Sequence, residues 1–237
     1  MEDFDYQWKN LPDKNIEYNE DRIKEFLNFT KLDAKKFIEN KYCLDAGCGI
    51  GRYSYAMKKL GAKKVDSIDI SEEGIKKCKI INPEAKIKDI LKLESNRVYD
   101  FVLSWGVLHH TSDPRTAFSK VASQVKKEGG CLHVMLYHKD TQKNYQEGRK
   151  IWKNLSEEQK LDYCKKKVNE IGGTVHGWFD ALNPTYNFSF SEKEIKGWFE
   201  EEGFTKIKLV TKHNINMNGQ FSSDEKNRKS FFTRIKE

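Results

Sequence analysis

The sequence has no pair of cysteines at CxxC spacing and no cysteine–histidine spacing that matches a zinc site. Its five cysteines, Cys43, Cys48, Cys78, Cys131 and Cys164, are odd in number, and two of them fall in expected strands. Buried, reduced thiols and a reducing cytoplasm are therefore expected rather than a disulfide framework. No apolar run approaches transmembrane length, which argues against a membrane role. The start, MEDFDYQWKN, is polar and acidic and does not read as a signal peptide. There is no internal repeat, no low-complexity tract and no aromatic-interleaved RNA-binding motif. The net charge is +7, but the lysines are scattered, with Lys76, Lys77 and Lys79 and then Lys165 to Lys167 the nearest to runs. That pattern favours a solvated basic surface and disfavours nucleic acid as a partner.

What is present is enough apolar material for a core: 37% hydrophobic and 12% aromatic residues in a 237-residue chain, read as a single domain. Residues 1–30 form an N-terminal arm and helix. Phe4, Tyr6 and Trp8 are too apolar to leave in water and are expected to pack over something, such as the mouth of a site. Ile23, Phe26 and Leu27 have helical spacing within 19–29. A strand–helix alternation follows. Strands are expected at 41–46, 64–70, 85–90, 100–104 and 131–137, with helices at 52–60, from Ser71 to 79, and at 113–127. That order implies a parallel sheet covered on both faces. Residues 139–190 interrupt it as an α-rich insertion forming an acceptor site or lid. Regularity returns with a helix at 191–202 and strands at 205–210 and 230–235.

The sharpest signal is Leu44-Asp45-Ala46-Gly47-Cys48-Gly49-Ile50-Gly51, between an expected strand and an expected helix. Glycines at every second position permit a tight turn and close approach of a ligand to the backbone. The following helix offers free N–H groups. A dinucleotide loop reads GxGxxG; this one reads GxGxG after an acid, and a carboxylate at Asp45 would repel pyrophosphate while suiting an ammonium or a sulfonium. Asp69, with Ile70 beside it, stands at the end of the next strand, where a carboxylate can accept a ribose diol. Asp89 and Ile90 end the third strand, where a carboxylate can take an amino group and an aliphatic side chain can cover a ring. After the fourth strand, Trp105 and Gly106 reach the carboxyl edge at which open parallel sheets bind ligands.

LDAGCGIGRYS, VDSIDIS, KDI and YDFVLSWGVLHHTSDP resemble the successive motifs of S-adenosylmethionine (SAM)-dependent methyltransferases, over roughly residues 40–137, and EIKGWFEEEGFTKIKLV is similar to that family's last helix and strand. The resemblance implies an α/β, Rossmann-like, seven-stranded mostly parallel sheet with helices on both faces and an antiparallel last strand. It implies SAM as cofactor, with Gly47, Gly49 and Gly51 around the methionine half, Asp69 at the ribose, Asp89 and Ile90 at the adenine, and Trp105 and His109 beside them. No metal is implied.

For the acceptor, a hydroxyl needs a base, and the candidates are His109 or His110 after strand four, His138 after strand five, and His176. His133 is expected to be packed and His213 exposed. His176 and Asp180 share a face if 176–180 is helical, so Asp180 could orient His176. Tyr137, Trp178 and Tyr186 supply aromatic walls for a small polar acceptor. Tyr145, Arg149, Trp152 and Tyr163 are read as a lid helix pair, and Tyr18 and Arg22 as reaching the SAM carboxylate. Resemblance to methyltransferases with an aromatic N-terminal arm and an insertion before the last helix implies, as the leading reading, O-methylation of a small molecule, a sugar or a phosphorylated precursor of surface polysaccharide. RNA or protein acceptors, N- or S-methylation of a metabolite, a non-catalytic SAM sensor and a homo-oligomer remain open alternatives.

Overall fold

The computed structural model describes residues 2–11, 18–211 and 214–223. Two helices, α1 (Glu2–Asn10) and α2 (Glu20–Thr30), and the short α3 (Ala34–Phe37) precede the alternation β1 (Tyr42–Ala46), α4 (Arg52–Lys59), β2 (Lys64–Asp69), α5 (Glu72–Cys78), β3 (Lys86–Ile87), β4 (Phe101–Trp105), α6 (Pro114–Ala122) and β5 (Cys131–Leu136). The insertion holds α7 (Lys139–Gln142), α8 (Gln146–Trp152), α9 (Glu157–Ile171) and α10 (Val175–Leu182). It is followed by α11 (Glu192–Glu201), β6 (Lys206–Thr211) and β7 (Ile215–Gln220). Among these residues no helix is long and apolar enough to cross a membrane.

The seven strands form one sheet in the order β3-β2-β1-β4-β5-β7-β6. Strands β1 to β5 run parallel. β7 lies antiparallel between β5 and β6. The central strands β1, β4 and β5 are buried on both faces and are correspondingly rich in apolar residues. Alternate side chains divide between two cores. Leu44, Val102 and Leu132 pack with Phe118 of α6 and Phe199 of α11. Cys43, Phe101, Leu103 and Cys131 pack with Phe26 of α2 and Met57 of α4. Chain order reverses between β1 and β4, which opens a crevice at the carboxyl edge of the sheet.

Several boundaries differ from the sequence reading. The third strand is only Lys86–Ile87, because Asp89 caps a 3-10 turn at Ile90–Lys92. α6 ends at Ala122. The last strand is Ile215–Gln220, and both the strand expected at 230–235 and His213 lie outside the described residues. The N-terminal arm is a helix, which puts Phe4 and Trp8 on one face and Tyr6 on another. Tyr6 stacks on Phe179 with ring centroids 5.5 Å apart.

Candidate active site

The reversal of strand order carries a cleft of about 510 Å³. Its floor is the glycine turn. Gly47, Gly49 and Gly51 all have positive φ, at 88°, 50° and 89°. A Cβ on Gly47 would lie 2.2 Å from Val107 Cγ2, and one on Gly49 would lie 2.8 Å from Trp8 Cζ2. Glycine is therefore required at both positions for conformation and for space. Asp69 closes the turn: Oδ2 accepts the Gly49 N–H at 2.7 Å, and Oδ1 accepts the Ser71 N–H at 2.8 Å. Each oxygen keeps a lone pair for a ligand. Burial pushes the Asp69 acid up, while hydrogen bonds from the Ser71, Gly49 and Ile70 amides pull against it.

Asp69, Ile70, Asp89, Ile90 and Trp105 all line the cleft, as do Gly47 and Gly49. Asp89 Oδ1 accepts the Leu91 N–H at 2.9 Å, leaving its other oxygen toward solvent and Lys92. Trp105 stacks on His133, with planes 8° apart and centroids 5.5 Å apart. Asp45 does not reach the cleft. It is buried and accepts the Ser54 hydroxyl at 2.6 Å. Strand alternation turns it to the α4 side, and burial pushes its acid up to about 7 despite that hydrogen bond. Tyr18 instead donates to the Ile50 carbonyl at 2.7 Å, and Arg22 pairs with Glu25. The cation that does line the cleft beside the turn is Arg52, the first residue of α4. Its position directly after Gly51 was the sequence signal for it.

The other end of the cleft is built around α10. Asp180 Oδ2 accepts the Tyr137 hydroxyl at 3.0 Å and lies 3.9 Å from His110 Nε2. His110 Nδ1 is 2.9 Å from the Tyr186 carbonyl oxygen, so Nδ1 carries the proton and Nε2 is the nitrogen turned to Asp180. Burial opposes the charge on Asp180, but the protonated form of His110 beside it, with His176 and His109 nearby, favours the carboxylate and holds the carboxyl well below the usual carboxylate range. From α1, the Gln7 amide lies 3.3 Å from His176 Nε2 and donates to Asp180 Oδ1 at 3.4 Å. Trp8 packs on His176 at 4.7 Å, and Phe4 on His110 at 5.5 Å. α1 is anchored opposite, where Asp5 accepts from the Ser71 hydroxyl and the Glu73 N–H. It thus roofs both halves of the cleft.

Four acceptor-side expectations are corrected. His109 is fully buried, stacked on Tyr137 at 3.8 Å, and neither ring nitrogen has a hydrogen-bond partner among the described residues. Burial, then His110, keeps its pKa well below the usual value. In the 3-10 turn Leu108–His110, neighbouring side chains point about 120° apart. His110 therefore faces the cleft and His109 the packing. His138 caps α7, its ring accepting the Asp140 N–H at 3.2 Å. Trp178 turns into the insertion, donating to the Gly172 carbonyl at 2.9 Å and packing on Tyr145. Tyr137 is behind the cleft wall, touching it through Asp180. Of the other acceptor-side residues, His176, Asp180 and Tyr186 line the cleft. None of Tyr145, Arg149, Trp152 and Tyr163 does; Trp152 is buried in a small core with Leu11, Cys164 and Phe179, against which Tyr145 and Tyr163 pack.

A family model described as a methyltransferase domain matches residues 16–209. The tRNA U34 carboxymethyltransferase of Pseudoalteromonas atlantica is 30% identical over 99 residues, 39% of this chain and 31% of that protein. The ribosomal protein L11 methyltransferase of Thermotoga maritima is 27% identical over 145 residues, 61% of this chain and 46% of that protein. The chain thus spans between about a third and a half of the length of these curated relatives. The magnesium protoporphyrin IX methyltransferase of Synechocystis PCC 6803, solved with bound SAH, shares the fold at a TM-score of 0.54 and 17% identity, over 91% of this chain and 96% of that one.

Proposed function

This chain belongs to the SAM-dependent methyltransferases of the Rossmann-like class, and on that premise we propose that it transfers a methyl group from SAM to a hydroxyl of a small polar acceptor. The observation that carries the acceptor side of this reading is the pairing of Asp180 with His110 at the cleft wall, 3.9 Å apart.

The residues present fit the cofactor. The glycine turn leaves open backbone, Asp69 has spare lone pairs for a ribose diol, and Asp89 with Ile70 and Ile90 suits the adenine end. Arg52 suits the carboxylate of the methionine half. Bound SAM supplies an electrophilic methyl on a sulfonium that leaves as a neutral thioether. The chain's own task is to align the acceptor oxygen and take its proton. Alignment alone can supply roughly 7–11 kcal/mol. His110, protonated on Nδ1, has Nε2 free to accept the hydroxyl proton as the new O–C bond forms. Asp180 then faces the resulting imidazolium, and Tyr137 and Gln7 hold the carboxylate in place.

A cleft of about 510 Å³ roofed by α1 suits a small acceptor. Of the two forms expected, the sugar hydroxyl is the better fit. Among the described residues the lining Lys and Arg are Lys88 and Arg52, both at the cofactor end, which leaves no fixed cation for a phosphorylated precursor. Five free, buried cysteines suit a reducing, cytoplasmic setting. Two of the relatives are named for tRNA and ribosomal protein, so RNA and protein are the competing acceptors. Incubation with methyl-labelled SAM and separate pools of total RNA, protein lysate and small metabolites tests the reading. Label should enter the metabolite pool; label in RNA or protein alone would overturn it.

A further inference from the structure

Tyr186 and Phe188 are large rings left 44% and 41% exposed. Their planes agree to 8°, with centroids 6.4 Å apart. This exposure is imposed by how the segment is fastened. The Phe188 N–H donates to the His109 carbonyl at 2.9 Å, and the Phe190 N–H donates to the Tyr137 carbonyl at 2.9 Å. Between the two rings, Asn187 turns inward and donates to the Ala181 carbonyl at 3.0 Å. With Asn187 inward, the residues on either side are presented outward as a pair. The stretch Pro184-Thr185-Tyr186-Asn187-Phe188-Ser189-Phe190 carries no charge. The adjacent exposed rings make a small contiguous apolar patch of a kind that can meet a ligand. Tyr186 lines the cleft itself, and Phe188 is the ring next to it.

We propose that Tyr186 and Phe188 form the outer acceptor subsite, stacking the flat apolar face of a ring in the acceptor whose hydroxyl reaches His110. The inference rests on the methyl-transfer reading above and adds the chemistry of the acceptor: it bears a ring, either an aromatic system or a pyranose with a C–H face. Parallel aromatic faces bind both by dispersion and burial. Tyr186 has two separate duties in this arrangement. Its main-chain carbonyl fixes the His110 tautomer, and its side chain meets the ring. Truncating the side chain therefore removes the platform and leaves the His110 anchor.

The test uses the full chain saturated with S-adenosylhomocysteine (SAH) and three uncharged hydroxyl probes: tyrosol, methyl glucopyranoside and 1,4-butanediol. Binding is read by saturation-transfer NMR and titration. At least one of the ring probes should bind and butanediol should not; tyrosol or the pyranoside responding identifies the kind of ring. Tyr186→Ala and Phe188→Ala should each weaken that probe by about 5- to 100-fold, the scale of a lost stacking contact. SAH affinity should stay unchanged, and Tyr186→Phe should restore probe binding. Equal probe binding by the alanine variants, butanediol binding as tightly as the rings, or no ring probe binding would each overturn the proposal. A concentration-dependent dimer abolished by the same variants would also overturn it, by assigning the rings to a second copy of the chain. Failure of SAH itself to bind would instead bring down the methyltransferase reading, and the ring probes would still report on the platform with the free protein.

Discussion

Asp180 and His110 face one another from different parts of the fold, the carboxylate from α10 in the insertion and the imidazole from the turn after β4, with 3.9 Å between Oδ2 and Nε2. The same carboxylate oxygen holds the Tyr137 hydroxyl at 3.0 Å. His110→Ala should lower methyl transfer by about 100- to 10,000-fold, the range for a lost general base. Asp180→Asn, which keeps shape but not charge, should also lower it at least tenfold. His176→Ala should change it less than His110→Ala, because Trp8 packs against that ring and Gln7 stands between it and Asp180. Initial rates with the labelled pool, beside calorimetric SAH affinity, separate these outcomes. A larger loss at His176 than at His110 would reassign the base.

Asp69 shapes the glycine turn and lines the cleft. Its two oxygens are divided between the Gly49 and Ser71 amides. Asp69→Asn sets an NH2 group against one of those N–H donors and loses the ribose acceptor as well. SAH affinity should fall at least tenfold, and Tm should drop by a few degrees. Asp89→Asn should affect SAH binding less, because the remaining amide oxygen can still accept the Leu91 N–H. Calorimetry and thermal melts of the two variants decide between a structural acid and one that only touches adenine.

The meeting of the glycine turn and Asp69 at the cleft was legible because local chemistry dictates it. A strand, a GxGxG turn and a helix follow one another within Tyr42–Lys59, and the Asp69 carboxylate closes on Gly49 only 20 residues away. The acceptor half was less legible because its partners are remote. Gln7 and Asp180 are 173 residues apart, and nothing in the sequence pattern joins them. The choice between His109 and His110 turned on a single 3-10 turn. Asp45 read as a ligand from its spacing, yet strand alternation sends it to Ser54. Strand β7, INMNGQ, reads as polar in sequence, yet it is mostly buried between β5 and β6, and Asn218 finds its partners inside the fold. Asn218 accepts from His133 at 2.6 Å and donates to the Thr30 carbonyl at 2.8 Å, contacts that no local window contains.

Gly219 is the point where β7 accepts the aromatic core. A Cβ there would stand 2.1 Å from Phe199 Cδ1 and 3.1 Å from Phe204 Cγ. Gly219→Ala should therefore destabilise by overpacking, by about 1–3 kcal/mol. For a chain of this size that is a fall in Tm of about 2–12 °C. Adding Phe199→Leu should recover part of the loss, since the two changes share one contact. Strictly additive losses in the double variant would show that Gly219 is needed for some other reason.

Asp45 gives the stability a pH dependence of defined sign. Burial raises its folded pKa to about 7, whereas the unfolded chain titrates near ~3.9. Between those values the folded state binds more protons than the unfolded state, so this group's contribution to stability declines as pH rises from about 4 to about 7. His133 contributes the opposite slope. Burial holds its folded pKa down to about 4 against ~6.5 unfolded, so its contribution rises with pH across that window. The two partly cancel in the wild type, and the Asp45 contribution appears only as a difference. Asn at position 45 can accept the Ser54 hydroxyl without a charge. Asp45→Asn should match the wild type near pH 4, gain relative stability up to about pH 7, and hold that gain above it. Urea melts at several pH values measure the difference. Parallel wild-type and variant curves across the range would mean that the buried carboxyl titrates normally.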